Sequence, residues 1–427
     1  MCGSGGSVVR AIALVGLLLL APTVTVASGC GDEAPADGAT KTAGLPPLAD
    51  FKLVEVPFAS QVQFTRDHVV WCEEPTALDD MDPPPAVDVM SFEIESGVTS
   101  KDEWLSSMIS SRWVQEWVLS GDRLAWIGTI MFNEVPGGGG VFLGTRVFTA
   151  LRDDEQPQVI SPLSWGVSGD TGGYEPAAGR LTSNGSLIAW YGMRNKLLRD
   201  WSDVKVIDRE RLWVWDATDG TSHRLPGAMD EQLQALAGRQ VVTTVTGDPA
   251  SEEIVTPTIS VRDMRADALR FIENDVPVAD PASADERTFV WTVRPADATD
   301  FVDADLAACD LESGGVFTVS DAPGGQTDPA VDGDLVVWVD TPLRPEPIES
   351  DEPWALSTLR GMRLSTGIES TLVEDPFTDK TQDSPFNQVT LIGDRLFWTI
   401  QRVEGCTAYG ARVVADGDGL KLEPLRD

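Results

Sequence analysis

Histidine is scarce in this sequence, and so are the residue patterns of the common enzyme classes. The 427 residues include two histidines, His68 and His223, and both fall beside predicted tight turns. A His-ligated metal centre or a Ser-His-Asp triad is therefore not expected. The P-loop and dinucleotide-binding patterns are missing, and the segment nearest to a G-x-S-x-G elbow, Gly166 to Asp170, fails at its last position. We predict neither a cofactor nor a metal ion.

Positive charge is also in short supply. The chain has 32 Lys and Arg residues against 68 Asp and Glu residues, which gives a formal net charge of −36. Such a surface repels nucleic acid and anionic lipid headgroups, so neither is expected as a partner. Clustered carboxylates could bind calcium, but no D-x-[DN]-x-[DN]-G loop is present. The acidic composition is most simply a solubilising surface.

Long apolar runs are missing after the first thirty residues. Arg10 precedes one apolar run, Ala11 to Val26, which is too short for a membrane-spanning helix and is typical of an export signal. The segment that follows, Ala27 to Cys30, resembles a bacterial lipoprotein box, although Ala27 replaces the usual Leu. The resemblance implies that Cys30 is lipidated. The alternative is a plain secretory signal in which Cys30 has no role.

These features predict three regions. Residues 1–29 are expected to be a lipoprotein signal peptide, residues 30–49 a flexible tether rich in Pro, Gly, Ala and acidic residues, and residues 50–427 one folded domain. The predicted location is the bacterial cell envelope, at the outer membrane on its periplasmic or its surface side. The chain would contact the membrane through its N-terminal lipid alone.

Cysteine is rare in the predicted domain. Three remain after export and lipidation, Cys72, Cys309 and Cys406, so at least one cannot pair within the chain. Cys72 ends a predicted strand of the first repeat unit, and Cys406 is expected in a loop of the seventh. In a closed ring these places are neighbours, which predicts a Cys72–Cys406 disulfide. The alternative is three buried free thiols.

A short pattern recurs along the domain, in which a tight turn leads into an apolar strand with a Trp five residues later. The full pattern occurs four times, as GDRLAW (121–126), GSLIAW (185–190), GDLVVW (333–338) and GDRLFW (393–398). Three weaker copies are RDHVVW (66–71), GRQVVT (238–243) and ERTFVW (286–291). Their last residues are 47 to 64 positions apart, a period typical of β-propeller blades.

Each unit reads as four strands, A to D, with the Trp on strand B and a Gly turn, for example at Gly220 or Gly367, between C and D. The expected fold is all-β, a propeller of about seven four-stranded blades, with six or eight possible. Strand B is apolar on both faces, so the six Trp side chains are expected to pack between blades. The segment Phe51 to Phe58 is expected to pair into the last blade beside Leu420 to Leu425 and so close the ring.

The loops between strands B and C, among them the irregular loops expected at 128–141 and 191–210, are long, and so are connections between blades. Both lie on one face of a propeller. Long loops on a rigid scaffold commonly carry binding sites. This face is therefore the predicted binding face, and its candidate residues are Trp165, Tyr174, Arg194, Trp201, Arg344 and Trp354. Arg194 belongs to a basic stretch that ends at Trp201. Exposed aromatic and Arg residues are typical of a protein interface or a sugar platform, although these residues could merely hold their own loops in place.

The repeat unit resembles the TolB-like and WD40-like β-propeller family over residues 59–425. The resemblance is carried by segments such as SNGSLIAW (183–190) and WDATDG (215–220). It implies an envelope lipoprotein whose propeller is a protein-interaction platform. The predicted function is a non-catalytic binding platform for an unknown envelope protein or glycan. We expect a monomer. The alternative function is a carbohydrate-active enzyme that uses a carboxylate pair in the central pocket.

Overall fold

A computed structural model describes the chain from residue 45 onward with gaps. The described ranges are 45–57, 61–73, 88–109, 113–132, 142–162, 164–165, 167–168, 174–175, 178–197, 204–225, 231–245, 258–272, 278–293, 304–341, 357–374, 386–402 and 405–426. All of them belong to one compact unit that begins at Leu45.

The first three blades follow a short N-terminal segment that contains a 3-10 helix (Leu48–Phe51) and strand β1 (Lys52–Val56). Blade 1 consists of β2 (Val62–Phe64), β3 (His68–Glu73), β4 (Asp88–Glu93) and β5 (Val98–Lys101), followed by helix α1 (Glu103–Ile109). Blade 2 consists of β6 (Trp113–Ser120), β7 (Arg123–Phe132), β8 (Phe142–Leu151) and an outer strand split into β9 (Gln158–Val159) and β10 (Ser164–Trp165). A small hairpin, β11 (Val167–Ser168) and β12 (Tyr174–Glu175), precedes blade 3, which consists of β13 (Ala178–Ser183), β14 (Leu187–Leu197), β15 (Val204–Asp216) and β16 (Thr221–Arg224).

The remaining four blades repeat the same order of strands. Blade 4 consists of β17 (Glu231–Ala237), β18 (Gln240–Val245), β19 (Thr258–Asp263) and β20 (Ala268–Ile272). Blade 5 consists of β21 (Ala279–Ala284), β22 (Thr288–Val293), β23 (Asp305–Asp310) and β24 (Val316–Ser320), and blade 6 of β25 (Gly325–Asp332), β26 (Leu335–Thr341), β27 (Thr358–Arg363) and β28 (Ile368–Glu374). Blade 7 consists of β29 (Phe386–Ile392), β30 (Arg395–Arg402), β31 (Gly405–Asp416) and β32 (Gly419–Pro424). The predicted seven-bladed β-propeller is confirmed.

The second strand of each blade is buried on both faces, as its apolar sequence predicts. The six repeated Trp side chains are 0–2 % exposed and lie in the clusters between adjacent blades, which confirms their packing role. Blade 4 has Thr243, 3 % exposed, at the equivalent place. The C-D turns are also as predicted, because Gly220 and Gly367 have φ angles of 68° and 66°, which favour glycine.

The first strands of the blades are innermost, since they contact one another around the ring. From blade 2 to blade 7, each of these strands contains a bulge that shifts its register against the second strand. At three bulges the chain adopts a left-handed conformation without a glycine, at Arg180, Asp328 and Gln388 (φ 50–53°). Polar residues therefore occupy equivalent bulge positions around the inner strands of several blades.

The ring closes through strands from both ends of the chain. The long strand β31 pairs with β1 along its first part, where Val54 faces Ala408 and Val56 faces Cys406, and with β32 along its second part. The N-terminal segment is anchored by Phe51, 1 % exposed, whose ring meets the Trp398 ring edge-on at a centroid distance of 6.0 Å. The predicted closure of the last blade by the N-terminal strand is confirmed.

Candidate functional site

Among the described residues, the longest pairing of a second with a third strand occurs in two neighbouring blades, on the predicted binding face. In blade 2 the pairing of β7 with β8 continues as far as Phe132 and Phe142, and in blade 3 the pairing of β14 with β15 continues as far as Leu197 and Val204. The stretches 128–141 and 191–210 were expected to be irregular loops, and for their described parts this expectation was wrong. They extend the blades as β-hairpins, because the strands remain paired beyond the packed core.

A third strand strengthens this raised region. The outer strand of blade 2 continues beyond β9 as β10, in which Trp165 pairs with Gly144 on the extended part of β8. β10 also contacts β14 of blade 3. The raised parts of blades 2 and 3 therefore touch. We call this region the raised wall. It consists of β10, the part of β7 after residue 128, the part of β14 after residue 192, and the parts of β8 and β15 that pair with them.

Of the six predicted binding residues, two lie on strands of the raised wall and one lies on the small hairpin that precedes blade 3. Trp165 lies on β10, Tyr174 lies on β12 in register with Ser168, and Arg194 lies on β14 in register with Asp208. The other three predicted residues, Trp201, Arg344 and Trp354, lie outside the described residues, as does the predicted lipidation site Cys30. The role of these residues in binding stays a prediction.

The β14–β15 hairpin contains a charge arrangement that the sequence alone did not reveal. Lys196 lies directly opposite Lys205 in the strand register. Like charges that face each other across a strand pair destabilise it by a few tenths of a kcal/mol up to about 1 kcal/mol. The register makes Lys205 a member of the basic stretch, although it is nine residues away along the chain.

Two carboxyl groups on the inner strands bear on the alternative enzymatic hypothesis. Burial raises the pKa of Glu116 in blade 2 and of Asp328 in blade 6. Glu116 accepts a hydrogen bond from the Leu181 backbone N–H at 2.9 Å, and Asp328 accepts one from the Thr327 hydroxyl at 3.0 Å. The two blades are not adjacent, and each carboxyl group has a partner in its own or the neighbouring inner strand. The catalytic carboxylate pair stays an alternative prediction.

The structure does not bring the predicted disulfide partners together. Cys72, 7 % exposed, lies on the same strand face as Val70 and packs towards blade 2, whereas Cys406 packs between blades 7 and 1. Alternate residues of a strand face opposite sides, so Cys72 points away from blade 7. Cys406 lies on strand β31 and not in the predicted loop, and it is a thiol in the structure. The Cys72–Cys406 disulfide stays a prediction and would require Cys72 to leave its present cluster.

The third thiol lies in the core of the ring. Cys309 is completely buried between blades 4 and 5, and burial raises the pKa of its thiol to about 11. Within the described ranges there is no cluster of three or more His, Cys, Asp or Glu side chains that could hold a metal ion. In the same part of the chain, no helix is long and apolar enough to cross a membrane.

Similarity to known proteins is limited to the fold. No family model matches the chain, and no curated protein matches its sequence. Among solved structures, the acylaminoacyl peptidase of Pyrococcus horikoshii is similar with a TM-score of 0.52 and 10 % sequence identity, over 87 % of this chain and 52 % of the peptidase. An acylaminoacyl peptidase in complex with Z-Gly-Gly-Phe-chloromethyl ketone has a TM-score of 0.50 and 9 % identity, over 86 % of this chain and 52 % of that one.

TolB from Acinetobacter baumannii is matched with a TM-score of 0.33 and 13 % identity, over 85 % of this chain and 82 % of TolB. That score is too low to add to the fold assignment. The chain spans about half the length of the peptidases that it resembles. At identities near 10 % these similarities support the propeller fold and carry no activity over to this chain.

Proposed function

We propose that this protein is a lipid-anchored bacterial envelope protein whose propeller is a non-catalytic binding platform. In this proposal Cys30 carries the lipid, the protein is attached to the outer membrane on its periplasmic or surface side, and a protein partner binds the raised wall. The observation that carries the proposal is the extension of two adjacent blades on the face with the long loops.

The raised wall supports a binding role because packing within the propeller does not require it. A four-stranded blade is complete within the strand lengths of blades 4 and 5, whose second and third strands have six residues each. Strand β15 has 13 residues and β14 has 11. Binding residues commonly lie on such extensions of a rigid scaffold.

Charge indicates what kind of partner fits. The segment from Arg194 to Arg211 contains six basic and four acidic residues, in a protein whose net charge is −36. The basic segment attracts a partner surface that carries carboxylates, whereas the acidic remainder of the protein repels such a surface. The partner is therefore steered to the basic segment. We therefore favour an acidic patch on an envelope protein as the ligand, and an anionic glycan is the competing outcome of the test.

The test compares two variants with the same change of charge. Lys196→Glu places a Glu opposite Lys205, which favours the hairpin fold, so lost binding would not reflect lost structure. Arg265→Glu makes the same charge change on an exposed turn of blade 4. Each variant is purified from its native membrane after mild crosslinking, and the proteins that accompany it are quantified by mass spectrometry.

The proposal predicts one stoichiometric partner, recovered equally with the wild type and with Arg265→Glu. Its recovery with Lys196→Glu should fall at least about tenfold, as expected for a central charged contact. Equal recovery with both variants would contradict the raised wall as the binding site. Recovery of a glycan in place of a protein would contradict the protein partner.

A further inference from the structure

A groove of about 420 Å³ lies between the outer parts of blades 1 and 2. Its blade 1 side includes Ser91, Glu93 and Ser100, which pair across β3, β4 and β5 on the sheet face shared with Val70. That face packs against blade 2, because Val70 belongs to the same cluster as Trp126. The groove is therefore the outward opening of the wedge between these two blades, about a quarter of the ring away from the blade 3 hairpin.

Helix α1 packs into the wedge between blades 1 and 2. Leu105, Met108 and Ile109 of the helix are buried in the cluster between blades 1 and 2. The helix begins where Asp102 accepts a hydrogen bond from the Leu105 backbone N–H at 2.9 Å. The groove therefore has a packed floor, and it opens outward.

The side of the groove opposite blade 1 is held in a fixed arrangement by an ion pair, a cation–π contact and a hydrogen bond. The guanidinium of Arg152 donates to Asp102 Oδ2 at 3.0 Å and lies 5.3 Å from the centroid of the Trp104 ring. The Trp104 indole N–H donates to the Asp154 carbonyl at 3.3 Å. Aromatic and Arg side chains fixed in this way are typical of binding hot spots, because little side-chain entropy is lost when a ligand binds.

Within the described residues, the outer edge of the groove is formed by a strand that has no partner on its outer side. β5 is the last strand in the sheet order of blade 1, and all four of its residues are exposed, including Val98 at 56 %. An exposed edge strand offers backbone donors and acceptors to an added strand. Val98 also lines the groove and provides an apolar contact beside that edge.

The charges in the groove indicate which strand would fit. Lys101 forms an ion pair with Asp88 at 2.8 Å, and Arg152 forms one with Asp102. The positive charges of both basic groups are therefore neutralised by neighbouring carboxylates. Glu93 accepts one hydrogen bond, from the Ser96 hydroxyl, and Glu103 lies 3.8 Å from Lys101. These two carboxylates, on a protein with a net charge of −36, favour a cationic ligand.

We propose that this groove binds an extended basic segment of a partner protein, which adds as a strand to β5 and places a Lys or Arg side chain against Glu93 and Glu103. The surface is separate from the raised wall and has the opposite charge preference. A protein with both surfaces can hold two different partners at the same time.

The experiment measures binding of the fluorescent octapeptide (Val-Lys)4 to the full chain by anisotropy. Val98→Lys blocks the apolar contact and adds one positive charge, and Ile368→Lys, at an exposed position (42 %) on the outer strand of blade 6, is the control with the same charge change. Glu93→Gln and Glu374→Gln form a second matched pair. A (Val-Lys)4 peptide with an N-methyl group on every residue has no backbone N–H on either edge, so it cannot donate strand hydrogen bonds to β5.

The proposal predicts that Val98→Lys and Glu93→Gln weaken binding about fivefold or more, that the two controls change it less than about twofold, and that the N-methylated peptide does not bind. Equal weakening by each variant and its control would overturn the proposal, because it would show general attraction to an acidic surface. Preferred binding of (Val-Glu)4 would overturn it as well. So would self-association in sedimentation that Val98→Lys abolishes, since a second copy would then occupy the groove.

Discussion

Arg426 donates a hydrogen bond from Nη2 to the backbone carbonyl of Leu53 at 3.3 Å, across 373 positions of the chain. Its guanidinium also lies 4.9 Å from the centroid of the Phe92 ring in blade 1. One side chain near the C-terminus thus contacts the N-terminal strand and the first blade. Arg426 therefore holds together the three parts of the chain that meet where the ring closes.

Arg426→Ala is expected to lower the free energy of unfolding by about 1–2 kcal/mol, because a charged hydrogen bond and a cation–π contact are lost. Lys421→Ala is the control, since Lys421 is exposed and its ion pair with Glu423 at 3.4 Å contributes less than about 1 kcal/mol. Urea unfolding measures both. A smaller loss for Arg426→Ala than for Lys421→Ala would show that the ring closes without this contact.

Trp338→Ala is expected to destabilise the protein far more, by about 3–5 kcal/mol. Trp338 is 0 % exposed and packs with Val290 and Leu306 of blade 5, so its removal leaves a cavity between two blades. Phe271→Ala, at a position 57 % exposed on blade 4, is the matched aromatic truncation and should cost less than about 0.5 kcal/mol. Similar unfolding midpoints for the two variants would contradict the packing role of the repeated Trp.

Acid is expected to remove a specific contribution of Asp310. The Ser313 backbone N–H, with help from Arg287 and the Glu312 N–H, lowers the pKa of Asp310 to about 2. A carboxyl group whose pKa is lowered on folding stabilises the protein above its unfolded pKa of about 4, and this contribution is lost as the pH falls towards 2.

The stability difference between the wild type and Asp310→Asn should therefore be largest above about pH 5 and shrink between pH 5 and pH 2. Thermal unfolding across this range measures the difference. Asp418→Asn removes the same charge from an exposed turn, and its profile corrects for the change in net charge. A difference that grows on acidification would contradict this role of Asp310.

Cys30→Ala is expected to release the protein from the membrane fraction and to abolish incorporation of labelled fatty acid. The reason is that the proposed lipid at Cys30 is the sole predicted membrane attachment. Fractionation of cells that produce each form measures the effect, with Cys309→Ala as a cysteine control inside the domain. Membrane retention of the Cys30→Ala protein would contradict the proposed anchor.

The blade count and the ring closure followed from the sequence because they rest on local patterns. A glycine turn before an apolar strand specifies the start of strand B, and Trp338 or Trp398 then needs a neighbouring blade to cover it. The weak fourth unit was still recognised by Gly238, although Thr243 replaces its Trp. The segment Phe51 to Phe58 is apolar and belongs to none of the seven repeat units. It was therefore expected to add a strand to the last blade.

The raised wall was not predicted, because the stretch 191–210 lacks the regular alternation of apolar and polar residues that indicates a strand. Its charged residues Arg194, Lys196, Arg199 and Asp200 made it read as a loop. Helix α1 was also missed, although Asp102 before Leu105, Met108 and Ile109 is a short helix signal. Seven residues are too few for periodicity to distinguish a helix from a turn. Lys196 and Lys205 are opposite each other because of the strand register, which the structure shows and the sequence alone does not.

The measurement that tests the binding platform most directly is site-specific photocrosslinking in intact cells. A photoreactive amino acid replaces Lys196 on the raised wall, and in a second strain it replaces Lys421 on the outer strand of blade 7. The platform predicts one discrete adduct of defined mass from position 196 and none from position 421. No adduct from position 196, or the same adducts from both positions, would contradict it.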